Sequence, residues 1–143
     1  MKIFFFGGTF DPPHIGHYMI VKKCLKLCDK FIFLPTNKSP GKVDSPIADS
    51  NHRLNMLKIL FKNRKVNIDL FEINSKETNY TYYTIGYLKD KYPMSDISMI
   101  IGYDQLIKFK EWYKYQDIIN QVNIICFNRK INNQKNENKL KIK

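Results

Sequence analysis

Several things are scarce in this 143-residue chain, and each scarcity removes a class of protein. The three cysteines, Cys24, Cys28 and Cys126, are an odd number, and only the first two lie close together. Neither a disulfide framework nor a four-ligand zinc site is therefore encoded. Cys24 and Cys28 share one helical face with Val21 and Leu25 nearby, and they read as buried thiols. No run of about 18 apolar residues exists, which leaves no membrane span. The apolar stretch IFFF near the start is far shorter than the core of a secretory signal, so a cytoplasmic protein is expected. Acidic residues are few, 13 against 24 lysines and arginines, for a formal charge of +11. Such an excess invites a nucleic-acid partner. Two features argue against one. Lysine, isoleucine and asparagine together fill 54 of the 143 positions, a bias across polar and apolar types alike, and residues 128–143 alone carry six positive charges and one negative. A solvated lysine surface is the expectation, with no nucleic-acid and no membrane partner.

What is there is enough apolar material for one core and a regular alternation of elements. At 43% hydrophobic, the chain can bury one sizeable core but is too short for two ordinary domains. Runs of strand length at Lys2–Phe6, Lys30–Leu34, Val66–Ile73, Ile97–Ile101 and Val122–Phe127 alternate with helical patterns. The helical stretches are Ile15–Asp29, Asn51–Phe61 (with Leu54, Leu57, Ile59 and Leu60 at helical spacing), Tyr83–Lys91 and Glu111–Gln121. Continuous apolar strands separated by helices predict an α/β architecture, a doubly wound parallel sheet covered on both faces. In such sheets ligands bind beyond the carboxyl ends of the strands, where strand order reverses. The loops after Phe6, Leu34, Ile73 and Ile101 are accordingly where chemistry is expected. The single domain is expected to span residues 1–127. Residues 128–143, NRKINNQKNENKLKIK, have no aromatic residue and little apolar pattern, and are expected to be a basic, Asn/Lys-rich tail without stable structure.

The densest motif is GGTFDPPHIGH, Gly7–His17. Directly after a buried strand, Gly7 and Gly8 permit backbone conformations and close approaches that a Cβ would prevent, so a phosphate can lie against the main chain. Thr9 offers a hydroxyl and an amide to the same anion. Pro12 and Pro13 fix φ and lack an N–H, which suits entry into a helix near His14. Residues three apart share a helix face, so His14 and His17 project together from an N-terminus that is already electropositive, with Gly16 between them leaving backbone room. Two imidazoles added there make a polyphosphate site. The chemistry that fits is phosphoryl or nucleotidyl transfer, in which the protein positions two anions and stabilises charge on oxygens.

This motif resembles the signature of the HxGH nucleotidyltransferase superfamily, a GxFDPxHxGH pattern after the first strand whose histidines engage the α-phosphate of ATP. NHRLNML (Asn51–Leu57), NYTYYTIGYLKDKYP (Asn79–Pro93) and MIIGYDQLIKFKEWYKYQDII (Met99–Ile119) are similar, in order and spacing, to stretches of the bacterial nicotinate-nucleotide adenylyltransferases. The resemblance runs from Met1 to about Arg129. It implies a Rossmann-like nucleotidyltransferase fold, with AMP transferred from ATP, accompanied by Mg2+, to nicotinate mononucleotide. The products would be deamido-NAD and pyrophosphate, a step of NAD biosynthesis.

The same resemblance implies roles for individual residues. His14 and His17 would bind the ATP phosphates and stabilise the charge that develops on attack. Gly7, Gly8, Thr9 and Phe10 would hold the nucleotide's phosphates, and Lys42 in NKSPGK would stand near them, although Gly41 occupies a position where the family usually has histidine. Asp104 would accept from a ribose hydroxyl, and Thr81, Trp112 and Tyr113 would receive the nicotinate ring. Residue chemistry agrees: an indole face stacks on an electron-poor pyridinium, and threonine can donate to a carboxylate. Trp112 also reads as a core anchor and Asp104 as a helix cap. His52 and Arg53 open the second helix either as a structural pair or as phosphate contacts. Asp11 reads as a residue that orders the loop rather than as a base, since a phosphate nucleophile needs no deprotonation. The family's late Ser/Thr and Arg phosphate motif has no counterpart, because the last serine is Ser98 and the last threonine Thr84. Two other readings stay open: a pantetheine-phosphate adenylyltransferase, against which NYTYYT and GYDQLIKFKEW argue, and a truncated, non-catalytic nucleotide-binding protein. The oligomeric state is left open.

Overall fold

The computed structural model describes residues 1–37, 49–127 and the backbone of 139–142. Five parallel strands build the sheet: β1 (Lys2–Gly8), β2 (Lys30–Pro35), β3 (Val66–Ile68), β4 (Asp96–Gly102) and β5 (Asn123–Phe127). Their order is β3-β2-β1-β4-β5, and a sixth strand, β6 (Lys139–Ile142), pairs antiparallel with β5. The helices are α1 (Ile15–Cys24), α2 (Ser50–Leu60), α3 (Thr81–Lys91), α4 (Tyr103–Ile107) and α5 (Tyr115–Gln121), with a 3-10 turn at Phe109–Glu111. The expected doubly wound α/β fold is the one observed.

Strand runs such as IFFF and FIFL are apolar throughout because both faces of the sheet are covered, and successive residues feed two separate cores. Ile3, Phe5, Ile32, Met99 and Ile101 pack with Ile85 and Leu88 of α3 and Ile118 of α5. Phe4, Phe6, Phe31, Phe33 and Ile100 pack on the other face with Val21 and Cys24 of α1 and Leu57 of α2. Cys24, Cys28 and Cys126 are buried and form no disulfide, and burial pushes the Cys28 and Cys126 thiols above the usual thiol range.

The element boundaries depart from the sequence reading where polar side chains redirect the chain. β3 stops at Ile68 instead of Ile73, because Asp69 is buried and held by Tyr87 and Lys91 of α3, and its carboxylate turns the chain by accepting from the N–H of Phe71. α1 ends at Cys24, five residues early; Asp29 is already tied to the first strand, its N–H on the Lys2 carbonyl and its carboxylate on the Lys2 N–H. α5 starts at Tyr115, not Glu111, because Lys114 takes a left-handed φ of 53°. α4 is an unforeseen element, and Ile59 and Leu60 of α2 face outward while Leu57 alone of the four apolar residues is buried. Within the stretch expected to be a tail, the backbone of Lys139–Ile142 forms an edge strand that pairs with β5.

Strand order reverses between β1 and β4, so their carboxyl ends, Gly8 and Gly102, bound a crevice of the kind in which doubly wound folds bind ligands.

Candidate active site

On one side of this crevice stands the start of α1. His14 is the N-cap, extended at φ −137°, and its Nδ1 accepts from the main-chain N–H of Gly16 at 3.0 Å. His17, at the third helical position, accepts the N–H of His14 on its own Nδ1 at 3.0 Å. This is a capping box built from two imidazoles, and it also explains the parallel stacking of the rings at 3.8 Å between centroids. A nitrogen that accepts cannot carry the proton, so each neutral ring holds it on Nε2. Phe6 and Phe10 pack edge-on against the His17 ring and fix its plane. Helix α1 has no acidic residue in its first turn, so nothing there opposes an anion.

Gly7 and Gly8 close β1. Neither adopts a left-handed φ, so close approach and not conformational freedom is what they supply. The left-handed residue is Phe10, φ 50°, whose buried ring anchors the loop between β1 and α1. Thr9 lies in that loop, and its carbonyl accepts from Arg53 Nη1 at 2.8 Å. Arg53 is buried, and it also donates to the Thr36 carbonyl at 2.6 Å and to Asn37 Oδ1 at 2.9 Å. Of the two roles open for it, the structural one is observed: it latches the loop and the end of β2. Desolvation lowers its pKa, and the nearby Asp11 and Asp49 carboxylates work against that shift. His52 is exposed beside Asp49, which caps α2 by accepting the His52 N–H. Lys42 falls outside the described residues.

The opposite side of the crevice is aromatic. Thr81 opens α3 behind an N-cap residue, Tyr80, that makes no side-chain cap. The rings of Tyr80, Tyr82 and Tyr83 gather around Tyr113 at 5.1, 6.0 and 5.9 Å, and Lys114 Nζ lies 4.5 Å from the Tyr82 centroid. Trp112 is half-buried, one side against Phe109 at 5.2 Å, so the sole indole both touches the core and keeps an exposed portion. Tyr113 is thus gathered with the three tyrosines that flank Thr81 in the chain, and Trp112 precedes it in sequence. Asp104 sits apart in the first turn of α4, exposed at the end of β4; the cap of that helix is Gly102, which removes the capping role for Asp104.

Between the two sides runs a buried polar chain that sequence reasoning missed. Thr84 Oγ1 donates to Glu72 Oε2 at 2.8 Å, Asn79 Nδ2 donates to the Glu72 carbonyl at 3.0 Å, and the Thr36 hydroxyl donates to Asn79 Oδ1. Burial, only partly offset by the Thr84 and Thr36 hydroxyls, pushes the Glu72 carboxyl up to about 7, with Asp69 adding a further upward push. The one available signal was a glutamate inside the otherwise apolar LFEI.

The Cytidylyltransferase-like family matches residues 5–141. The nicotinate-nucleotide adenylyltransferase of Bacillus subtilis is 35% identical over 131 residues, and a probable nicotinate-nucleotide adenylyltransferase of Hydrogenobaculum is 39% identical over 132; each match covers 90% of this chain and 69% of the relative. A solved structure of the Plasmodium falciparum nicotinic acid mononucleotide adenylyltransferase, complexed with NaAD, shares the fold at a TM-score of 0.76, with 22% identity over 90% of this chain and 65% of that one. These relatives do not favour the pantetheine-phosphate alternative. On its sequence matches and on a fold that carries the paired histidines at the switch point of the sheet, the chain belongs to the nicotinate-nucleotide adenylyltransferases of the Cytidylyltransferase-like family.

Proposed function

We propose that this chain transfers the AMP of MgATP to nicotinate mononucleotide, forming deamido-NAD and pyrophosphate in NAD biosynthesis. The observation that carries the reading is the histidine capping box, which stacks two imidazoles at a helix start with no acidic residue in its first turn, beside a Gly-Gly strand end. A phosphate oxygen of the mononucleotide attacks the α-phosphorus of ATP. A new oxygen–phosphorus bond forms as the bond from that phosphorus to the oxygen of the β-phosphate breaks, and pyrophosphate leaves with the electron pair. No proton has to be removed from the nucleophile. The work left to the protein is alignment and charge stabilisation, and each preorganised donor of this sort is commonly worth about 10²–10³ in rate. His14 and His17 supply donors to the α-phosphate, and the main chain of Gly7, Gly8, Thr9 and Phe10 lines the phosphate path. Asp104 accepts from the ATP ribose, and Lys42 is assigned to the phosphates on family resemblance.

Trp112 and Tyr113 receive the pyridinium face, and Thr81, at a helix N-terminus that no side chain caps, meets the carboxylate. Mg2+ belongs to the substrate in this reading. No group of three or more His, Cys, Asp or Glu side chains gathers among the described residues, which fits a cation held by the triphosphate's own oxygens. No helix among the described residues is long and apolar enough to cross a membrane, and three buried cysteines that form no disulfide suit a reducing compartment, in keeping with work in the cytoplasm. The test is pyrophosphate release from MgATP with nicotinate mononucleotide, nicotinamide mononucleotide or phosphopantetheine as acceptor. Release with the first is expected. Release only with phosphopantetheine, or with none of the three, overturns the proposal.

A further inference from the structure

The polar chain under the crevice connects elements that the proposed reaction uses separately. Arg53 of α2 holds the carbonyls of Thr9 and Thr36; the Thr36 hydroxyl reaches Asn79; Asn79 reaches the Glu72 carbonyl; and the Glu72 carboxylate accepts from Thr84. Thr9 belongs to the loop on the ATP side, whereas Thr84 stands one turn beyond Thr81 on the nicotinate side. The five side chains in this path are all buried. The Glu72 carboxylate also borders β1 itself, since a Cβ at Gly7 would come within 3.9 Å of its Oε2. Arg53 Nε alone in this path is buried without a hydrogen-bond partner, and in such a low-dielectric chain each bond depends on its neighbours holding their geometry.

From this arrangement we infer that Glu72 is a positioning residue that couples the two half-sites, so that filling either one tightens the other. It reaches the acceptor side through Thr84, and the donor side through Asn79, Thr36 and Arg53. The inference rests on the two-substrate reading above. An ordered β1–α1 loop holds Thr9 and, through Arg53, Thr36; that fixes Asn79 and the Glu72 main chain, and so the acceptor offered to the first turn of α3. By linkage the effect runs equally in reverse.

The charge state of Glu72 bears on the coupling, because a carboxylate only accepts whereas a carboxylic acid also donates. The groups facing it are Thr84 from α3, Thr36 after β2, the Gly7 main chain from β1 and Asp69 on its own segment, the last already engaged by Tyr87 and Lys91. Its carboxyl titrates near neutrality, so the coupling changes across the neutral range.

Calorimetry on the full chain tests this. The dissociation constant of nicotinate mononucleotide is measured with and without a non-hydrolysable ATP analogue, at about pH 5.5 and about pH 8.5, on either side of the carboxyl's titration. The wild type, Glu72→Gln and Thr84→Val are compared, with melting curves alongside. In the wild type the ratio of the two constants is expected to differ severalfold between the pH values. In Glu72→Gln, which keeps an acceptor but cannot ionise, the ratio should be the same at both, although the mononucleotide's own phosphate titrates alike in the two proteins. In Thr84→Val the ratio should approach one, while affinity for the analogue alone stays within about threefold, below the usual range of an allosteric coupling. A Glu72→Gln protein that retains the wild-type pH dependence overturns the inference even if Thr84→Val fails to fold. A wild type that binds the analogue and no mononucleotide at either pH overturns the functional reading first, and that result is distinct from the preceding one.

Discussion

At the scale of single residues, the two histidines show how one side chain serves fold and chemistry at different atoms. Nδ1 of each ring belongs to the start of α1, and Nε2 is the atom proposed to meet substrate. His17→Ala is therefore expected to do two things at once. It removes the acceptor for the His14 N–H, at about 0.5–2 kcal/mol for a lost cap interaction, and it removes one phosphate donor, lowering kcat by roughly 10²–10³. A urea titration and a pyrophosphate assay separate the two effects; a variant with normal turnover contradicts the role given to Nε2. Trp112→Ala is expected to raise the KM for nicotinate mononucleotide, by the about 1–3 kcal/mol that a stacked aromatic contributes, and to leave the KM for ATP close to its original value. Its contact with Phe109 predicts a moderate drop in melting temperature as well. The histidine motif was legible because its residues are adjacent in the chain and chemically distinctive. Glu72 was not, since Thr84 and Thr36 lie 12 and 36 residues away and only the fold brings them to it.

At the scale of elements, α2 contributes to the site through one buried arginine rather than through an apolar stripe. Arg53→Met keeps the length of the stem and strips three hydrogen bonds from the Thr9 and Thr36 carbonyls and from Asn37. With buried acceptors left unsatisfied at about 1–3 kcal/mol each, partly relieved by relaxation, a net loss of about 2–4 kcal/mol is expected from denaturant unfolding. The KM for ATP should rise with it, because the loop after β1 loses its anchor. An unchanged KM with reduced stability would confine Arg53 to the fold. Strands and long helices were readable from apolar runs, which record burial directly. Their ends were not, because Asp69, Asp29 and the left-handed Lys114 stop them through contacts or backbone geometry that no periodicity encodes. The five-residue α4 was too short to leave a pattern at all.

At the scale of the whole molecule, the same buried carboxyl links stability to pH. Glu72 ionises near 4.5 in an unfolded chain and at about 7 in the fold, so the folded state holds the proton more tightly. The stabilisation this brings is present in full below about 4.5 and is lost as pH rises through about 7, for an order-of-magnitude total of about 3 kcal/mol. Glu72→Gln lacks that slope. Subtracting its unfolding free energies from those of the wild type between pH 4 and pH 8 should leave a falling curve of this size, and parallel profiles would show that the carboxyl is not buried in solution as described.

The reversal of strand order between β1 and β4 has a consequence for exchanging substrates. The loop and helix assigned to ATP in the proposed reaction precede Thr81, and they rest on the sheet face that carries α1 and α2; the tyrosines, Trp112 and Lys114 belong to later chain on the face that carries α3 and α5. A library randomised only at Tyr80, Tyr82, Tyr83, Trp112, Tyr113 and Lys114 would leave every hydrogen bond of the histidine cap and of the Arg53 latch in place. Selection from such a library is the direct route to a catalyst that still takes MgATP and adenylates a different phosphate ester.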